Sequence, residues 1–145
     1  MSSTDSTQRP VRILFVCLGN TCRSVMAEGL ARKKFGDTIV VTSAGICPQK
    51  AEHAKMAINT LKLFKVDMSS HMPRDVKTVD ITSFDHVIAL DKNIAKKLLD
   101  IPVDKLLTWN ISDPWGYDDS KYEGCAIAIK REISKLKDKI DVIQK

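Results

Sequence analysis

Residues Arg12 to Ser24 read RILFVCLGNTCRS. Ile13 to Val16 are apolar without alternation, the pattern of a central strand in a parallel sheet covered on both faces. Cys17 stands where that strand ends, and Leu18, Gly19, Asn20, Thr21 and Cys22 separate it from Arg23. A loop of this length bends backbone N–H groups around one point and makes a concave anion site. Gly19 and Asn20 supply the unusual dihedrals of such a curl. The following residues are helical in pattern, and a helix N-terminus aimed at the same point adds its dipole and free donors. Together with the guanidinium of Arg23, these groups favour the thiolate form of Cys17. The guanidinium fork also matches two oxygens of a phosphoryl group, and the Ser24 hydroxyl can donate to the sulfur. The expectation is a sulfur nucleophile in an oxyanion cradle formed by residues 18–24.

The rest of the composition bounds the setting. A chain of 145 residues, 43% hydrophobic and 28% charged, is the size and balance of one globular domain. Residues 1–10 are polar, end in Pro10 and read as a disordered tail, leaving 11–145 as the folded domain. No apolar run has membrane length and no signal-peptide core opens the chain, so a cytoplasmic protein without membrane contact is expected. Four scattered cysteines, Cys17, Cys22, Cys47 and Cys125, argue against a disulfide scaffold. The net charge of +5 is dispersed over helix surfaces without a basic block, which predicts no nucleic-acid partner and weak steering of anions. His53, His71 and His86 form no ligand pattern, and neither metal nor cofactor is expected.

Outward from the opening stretch, strands and helices alternate. Ser24 to Phe35 is helical in spacing and Gly36 closes it. Ile39 to Val41 form a second strand that empties through Thr42, Ser43, Ala44 and Gly45 at the edge where Cys17 lies, the edge at which open α/β sheets bind ligands. Ala54 to Phe64 is an amphipathic helix, and Asp67 to Asp75 is turn-rich. Phe84 to Leu90 reads as the third strand. Asp91 caps a helix in which Ile94, Leu98 and Leu99 face inward. Leu106 to Trp109 is the fourth strand, and a capping box at Ser120 and Glu123 opens a last helix with a stripe from Tyr122 through Ile140 and Ile143. The fold class is therefore α/β, a single-domain, doubly wound four-stranded parallel sheet with helices on both faces.

The cysteine, five residues, arginine and serine after the first strand, together with Met26-Ala27-Glu28, Ser43-Ala44-Gly45, His71 with Arg74, and Asp113-Pro114, resemble the low-molecular-weight protein tyrosine phosphatase family. The resemblance runs from about Val11 into the last helix. Val25 departs from the proline usual at that place in the family, a change the first helical turn accommodates. The resemblance implies a metal-free phosphomonoester hydrolase with Cys17 as nucleophile, Arg23 as oxyanion clamp and Asp113 as general acid. It further implies that Ser43 and His71 support the loop, His71 by bonding Asn20, and that Trp115 walls the substrate side. Phosphotyrosine on a protein, or a small aryl phosphate, is the expected substrate, and a monomer the expected state. Gln49 and Gly116, standing where relatives often have aromatics, leave strict tyrosine specificity open.

Two other functions fit parts of the pattern. Arsenate reductases share the fold and the Cys-x5-Arg loop, but their resolving cysteines lie after the third strand, where Asp91 to Leu99 contain none. A module that captures phosphate without turnover would not need Asp113. Cys22 lies in the same curl as Cys17, so a reversible disulfide between them is the expected product of oxidation, with Cys47 the other thiol that could take part.

Overall fold

The computed structural model describes residues 9–144, with side chains to residue 139. Four parallel strands, β1 (Val11–Cys17), β2 (Ile39–Gly45), β3 (His86–Ala89) and β4 (Leu106–Thr108), form one sheet in the order β2-β1-β3-β4. Among the described residues four α-helices accompany them: α1 (Arg23–Phe35), α2 (Lys55–Leu63), α3 (Lys92–Ala95) and α4 (Asp119–Gln144). β1 is central, pairing from Val11↔Ile39 to Cys17↔Gly45 on one side and from Ile13↔His86 to Val16↔Ala89 on the other. Its unalternating apolar run follows from having two covered faces. Ile13, Phe15 and Cys17 enter one core with α1, α2 and α4, while Leu14 and Val16 enter a second with Phe84, Val87, Ile94 and Leu98. The first face carries three full helices; the second carries only the single turn of α3 and short 3-10 turns.

Parallel pairing sends every strand out at the same edge, which is what gathers the ends of β1, β2, β3 and β4 around one point. β2 is longer than its apolar run: Thr42 to Gly45 stay in register with β1 to the last residue instead of peeling into a loop. The helix expected through Leu99 stops at Ala95. Bonds from Lys97 N to Ile94 O and from Leu98 N to Ala95 O tighten the chain, bringing Leu98 and Ile101 inward and leaving Leu99 83% exposed. The last helix is capped by Asp118, whose side chain accepts from Lys121 N at 3.2 Å, and not by Ser120, because the carboxylate two residues earlier already reaches the free amide. Its stripe of Tyr122, Ala126, Ile129, Ile133 and Leu136 is buried as expected, while the side chains of Ile140 and Ile143 lie outside the described residues.

Of the expected tail, residues 1–8 also lie outside the described residues, and Arg9 is engaged by Asp85 at 2.7 Å. Among the described residues no helix is long and apolar enough to cross a membrane.

Candidate active site

The cradle is shaped from outside. Cys17 O accepts from Ile46 N, Leu18 O from Cys47 N, Gly19 O from Gln49 N, and Asn20 O from His71 Nε2, at 2.8 to 3.0 Å. A trans peptide points its N–H opposite its carbonyl, so the next amides in line, those of Leu18, Gly19, Asn20 and Thr21, turn away from these partners. Leu18, Gly19 and Thr21 line a cavity of about 140 Å³ with Cys17, Cys22, Arg23, Gln49, Asp113 and Trp115. The residues after β2 thus act as a strap against which the loop is pressed. Gly45 permits this closeness, because a Cβ there would stand 2.8 Å from Leu18 O and 2.9 Å from Asn20 N.

Asn20 locks the curl. It has φ +56°, a conformation asparagine tolerates better than other side-chain-bearing residues, and it is fully buried. Its Nδ2 donates to Ser24 Oγ at 2.8 Å and to Ser43 Oγ at 2.9 Å, and its Oδ1 accepts from Arg74 N at 2.9 Å. Since Asn20 O can only accept, the proton of that bond sits on His71 Nε2. Ser43 Oγ donates to Glu28 Oε1 at 2.6 Å, and Glu28 pairs with Arg32 at 2.7 Å. Ser24 Oγ accepts from Asn20 and lies 2.9 Å from Cys17 Sγ, so its hydroxyl proton is placed to bond the sulfur when that is a thiolate. The donor at the sulfur is therefore oriented by the same asparagine that bends the loop.

Cys17 is 3% exposed, at the floor of the cavity. Arg23, equally buried, donates through Nη1 to Asp91 Oδ2 at 2.6 Å and to Ile111 O at 2.8 Å. Burial works against the Arg23 charge, yet the Asp91 bond and the charges of Cys17, Asp113 and Asp91 raise its pKa above the usual arginine value. Burial likewise works against the Asp91 carboxylate, and the Arg23 bond outweighs it, holding that carboxyl below its ordinary range. Asp91 was expected only to cap α3, which it does through Ile94 N at 2.8 Å; its second oxygen makes it part of the site. Its position directly after β3, at the binding edge of the sheet, was the signal that could have found it. Glu28 was likewise missed as the far end of the asparagine network.

Asp113 Oδ2 lies 3.8 Å from Arg23 Nη2, and its Oδ1 accepts from Trp115 N at 3.0 Å. Trp115 is 51% exposed, its ring 5.2 Å from that of His53. Ser43 and His71, expected as supports of the loop, bond Asn20 from behind the cavity, and Asn20 and Ser24, expected to bind phosphate, are not among the residues that line it. Cys22 does line it, but its Sγ lies 3.3 Å from Tyr122 OH; burial raises this thiol, against the opposing bond from Tyr122. Burial pushes Cys125 up to about 12. All four cysteines are unpaired, and Cys47 alone is exposed.

A family model described as low molecular weight phosphotyrosine protein phosphatase matches residues 12–145. Arsenate reductase 2 of Staphylococcus epidermidis is 32% identical over 126 residues, 86% of this chain and 95% of that protein. Among solved structures, the YwlE arginine phosphatase from Geobacillus stearothermophilus is similar with a TM-score of 0.84 at 30% identity, covering 93% of this chain and 96% of that one. A low molecular weight protein tyrosine phosphatase from T. tengcongensis gives 0.81 at 30% identity, with 89% and 99% covered.

Proposed function

The chain belongs to the low molecular weight phosphotyrosine protein phosphatase family, and from that premise we propose that it hydrolyses phosphomonoesters through a phosphorylated Cys17. That Cys17, Arg23 and Asp113 line one and the same cavity supports this reading. Cys17 Sγ attacks phosphorus in line as the leaving oxygen departs, and Asp113 gives that oxygen a proton. Arg23 and the loop amides hold the phosphoryl oxygens as charge spreads over them. In the second step Asp113, now a carboxylate, takes a proton from water, the water oxygen bonds to phosphorus, and the sulfur leaves as a thiolate that Ser24 stabilises.

Phosphotyrosine on a protein, or a small aryl phosphate, is the substrate this pocket suits best, with Trp115 and Leu18 as apolar flanks. A guanidino phosphate is the second reading, favoured by the likeness to the arginine phosphatase and by polar Thr21 and Gln49 in the lining. Arsenate reduction, the activity named for the staphylococcal relative, is disfavoured. Residues 91–99 contain no cysteine, and the buried thiols Cys22 and Cys125 are both held toward their protonated forms. The deciding experiment compares turnover of tyrosine, arginine and serine phosphates, and thioredoxin-coupled arsenate reduction, in the parent and in Cys17→Ser. The variant is expected to lose all turnover while still binding inorganic phosphate; undiminished hydrolysis would end the proposal.

A further inference from the structure

The tip of the loop that carries Asp113 is fastened unevenly. Its hydrogen bonds are internal: Trp115 N to Asp113 Oδ1 at 3.0 Å, and Tyr117 N to Pro114 O at 2.9 Å, with Gly116 at φ +87° completing the turn. Asp113 itself only approaches Arg23, at 3.8 Å. Among the described residues, the aromatic contact this tip makes outside itself is that of Trp115 with His53, whose ring planes meet at 48° with centroids 5.2 Å apart. His53 lies in the 3-10 turn Ala51–Ala54, its N bonded to Lys50 O, immediately after the strap that shapes the cradle. One ring pair therefore joins the segment that bends the phosphate loop to the segment that carries the acid.

A second observation bears on how that link works. His53 Nδ1 is buried and has no hydrogen-bond partner among the described residues. A ring nitrogen removed from water and left unbonded adds nothing to a tether. The hold is the contact between the two rings.

We propose that His53 is a positioning residue for Asp113: its ring fixes Trp115, and Trp115, bonded through its backbone N–H to the carboxylate, sets Asp113 over the pocket. This rests on the acid role proposed above for Asp113. Because the ring contact and not the nitrogen acts, phenylalanine replaces histidine here and alanine does not.

The test uses the full chain with His53→Ala and His53→Phe, assayed on aryl phosphates with poor and activated leaving groups. In parallel, acrylamide quenching of tryptophan fluorescence reads Trp115, since Trp109 is buried, with Trp115→Phe as the baseline. For His53→Ala, kcat on the poor leaving group is expected to fall about threefold to tenfold, the range an aromatic pair supplies. The rate on the activated ester, which needs no acid, stays near that of the parent, and the quenching constant rises. His53→Phe restores both readouts. An equal loss on both esters, unchanged quenching in His53→Ala, or failure of His53→Phe to restore would overturn the proposal. A parent protein that hydrolyses no phosphate would sink the proposed function instead, and the quenching comparison would still decide whether His53 holds Trp115.

Discussion

Asp91 holds Arg23 with one carboxylate oxygen and the first turn of α3 with the other, at 2.6 and 2.8 Å. A charged, buried fork with two fixed partners has little freedom left, so its remaining N–H groups are held in place at the cavity, as the proposed clamp on an oxyanion requires. The helix that Asp91 caps is only four residues long, which makes the capping bond the minor half of its work.

Asp91→Asn separates the two halves, because asparagine caps as well as aspartate but carries no charge. Phosphate should inhibit this variant about tenfold more weakly, the weight of one charge-assisted bond, and thermal stability near neutral pH should fall as well, because buried Arg23 loses its ionic partner. Product-inhibition constants and melting curves check it. A large fall in melting temperature with unchanged inhibition would mean that the cap, not the clamp, is what Asp91 contributes.

Ser24→Ala removes the hydroxyl 2.9 Å from the sulfur. That donor matters most when the thiolate is the leaving group, so breakdown of the phosphorylated enzyme should slow by about tenfold, as for the loss of one bond to a charged group at ~1.5 kcal/mol. Rapid mixing with an activated aryl phosphate should show a burst approaching one equivalent, followed by a slow steady state. A slowed burst without accumulation would place the hydroxyl in the first step instead.

Asp113→Asn can neither donate nor take a proton. Hydrolysis of phenyl phosphate should drop by about a hundredfold or more, in the range of general acid catalysis, and formation of the covalent species from an activated ester should change far less. Equal losses on both would remove Asp113 from the acid role.

His86 at the start of β3 gives a prediction about pH. Its Nε2 is buried without a partner among the described residues, and burial lowers its pKa, against the opposing charge of Asp85. The fold therefore prefers the neutral ring. Its contribution to stability is present above the unfolded pKa near 6.5 and is lost as the pH falls from there through the lower folded value. Melting temperatures from pH 7.5 down to 5 should decline in the parent and decline less in His86→Gln. Parallel curves would show that His86 does not couple protonation to folding.

Much of this architecture was readable in the sequence because local signals agreed with one another. The unbroken apolar run of β1, the Gly-Asn curl and the helical spacing after Arg23 each specify one local geometry, and together they place Cys17, Arg23 and Ser24. Asp113 needed the family likeness, since an aspartate before proline is otherwise a turn residue. The second role of Asp91 was not legible from spacing, because its partner lies 68 residues away and only the parallel crossover brings them together. Leu99 misled for a related reason: helical periodicity continued past the point where the chain tightened to reach the core at Ile101. The pairing of His53 with Trp115 likewise depends on tertiary placement alone.

The outward bonds of Cys17 O, Leu18 O, Gly19 O and Asn20 O have a consequence for engineering. The curvature of the loop is held by residues 46–49 and 71–74, segments that hold none of the proposed nucleophile, clamp or acid. Transplanting residues 17–24 into another strand–helix junction would carry the letters of the motif without its shape, and a functional graft must bring its surrounding frame with it.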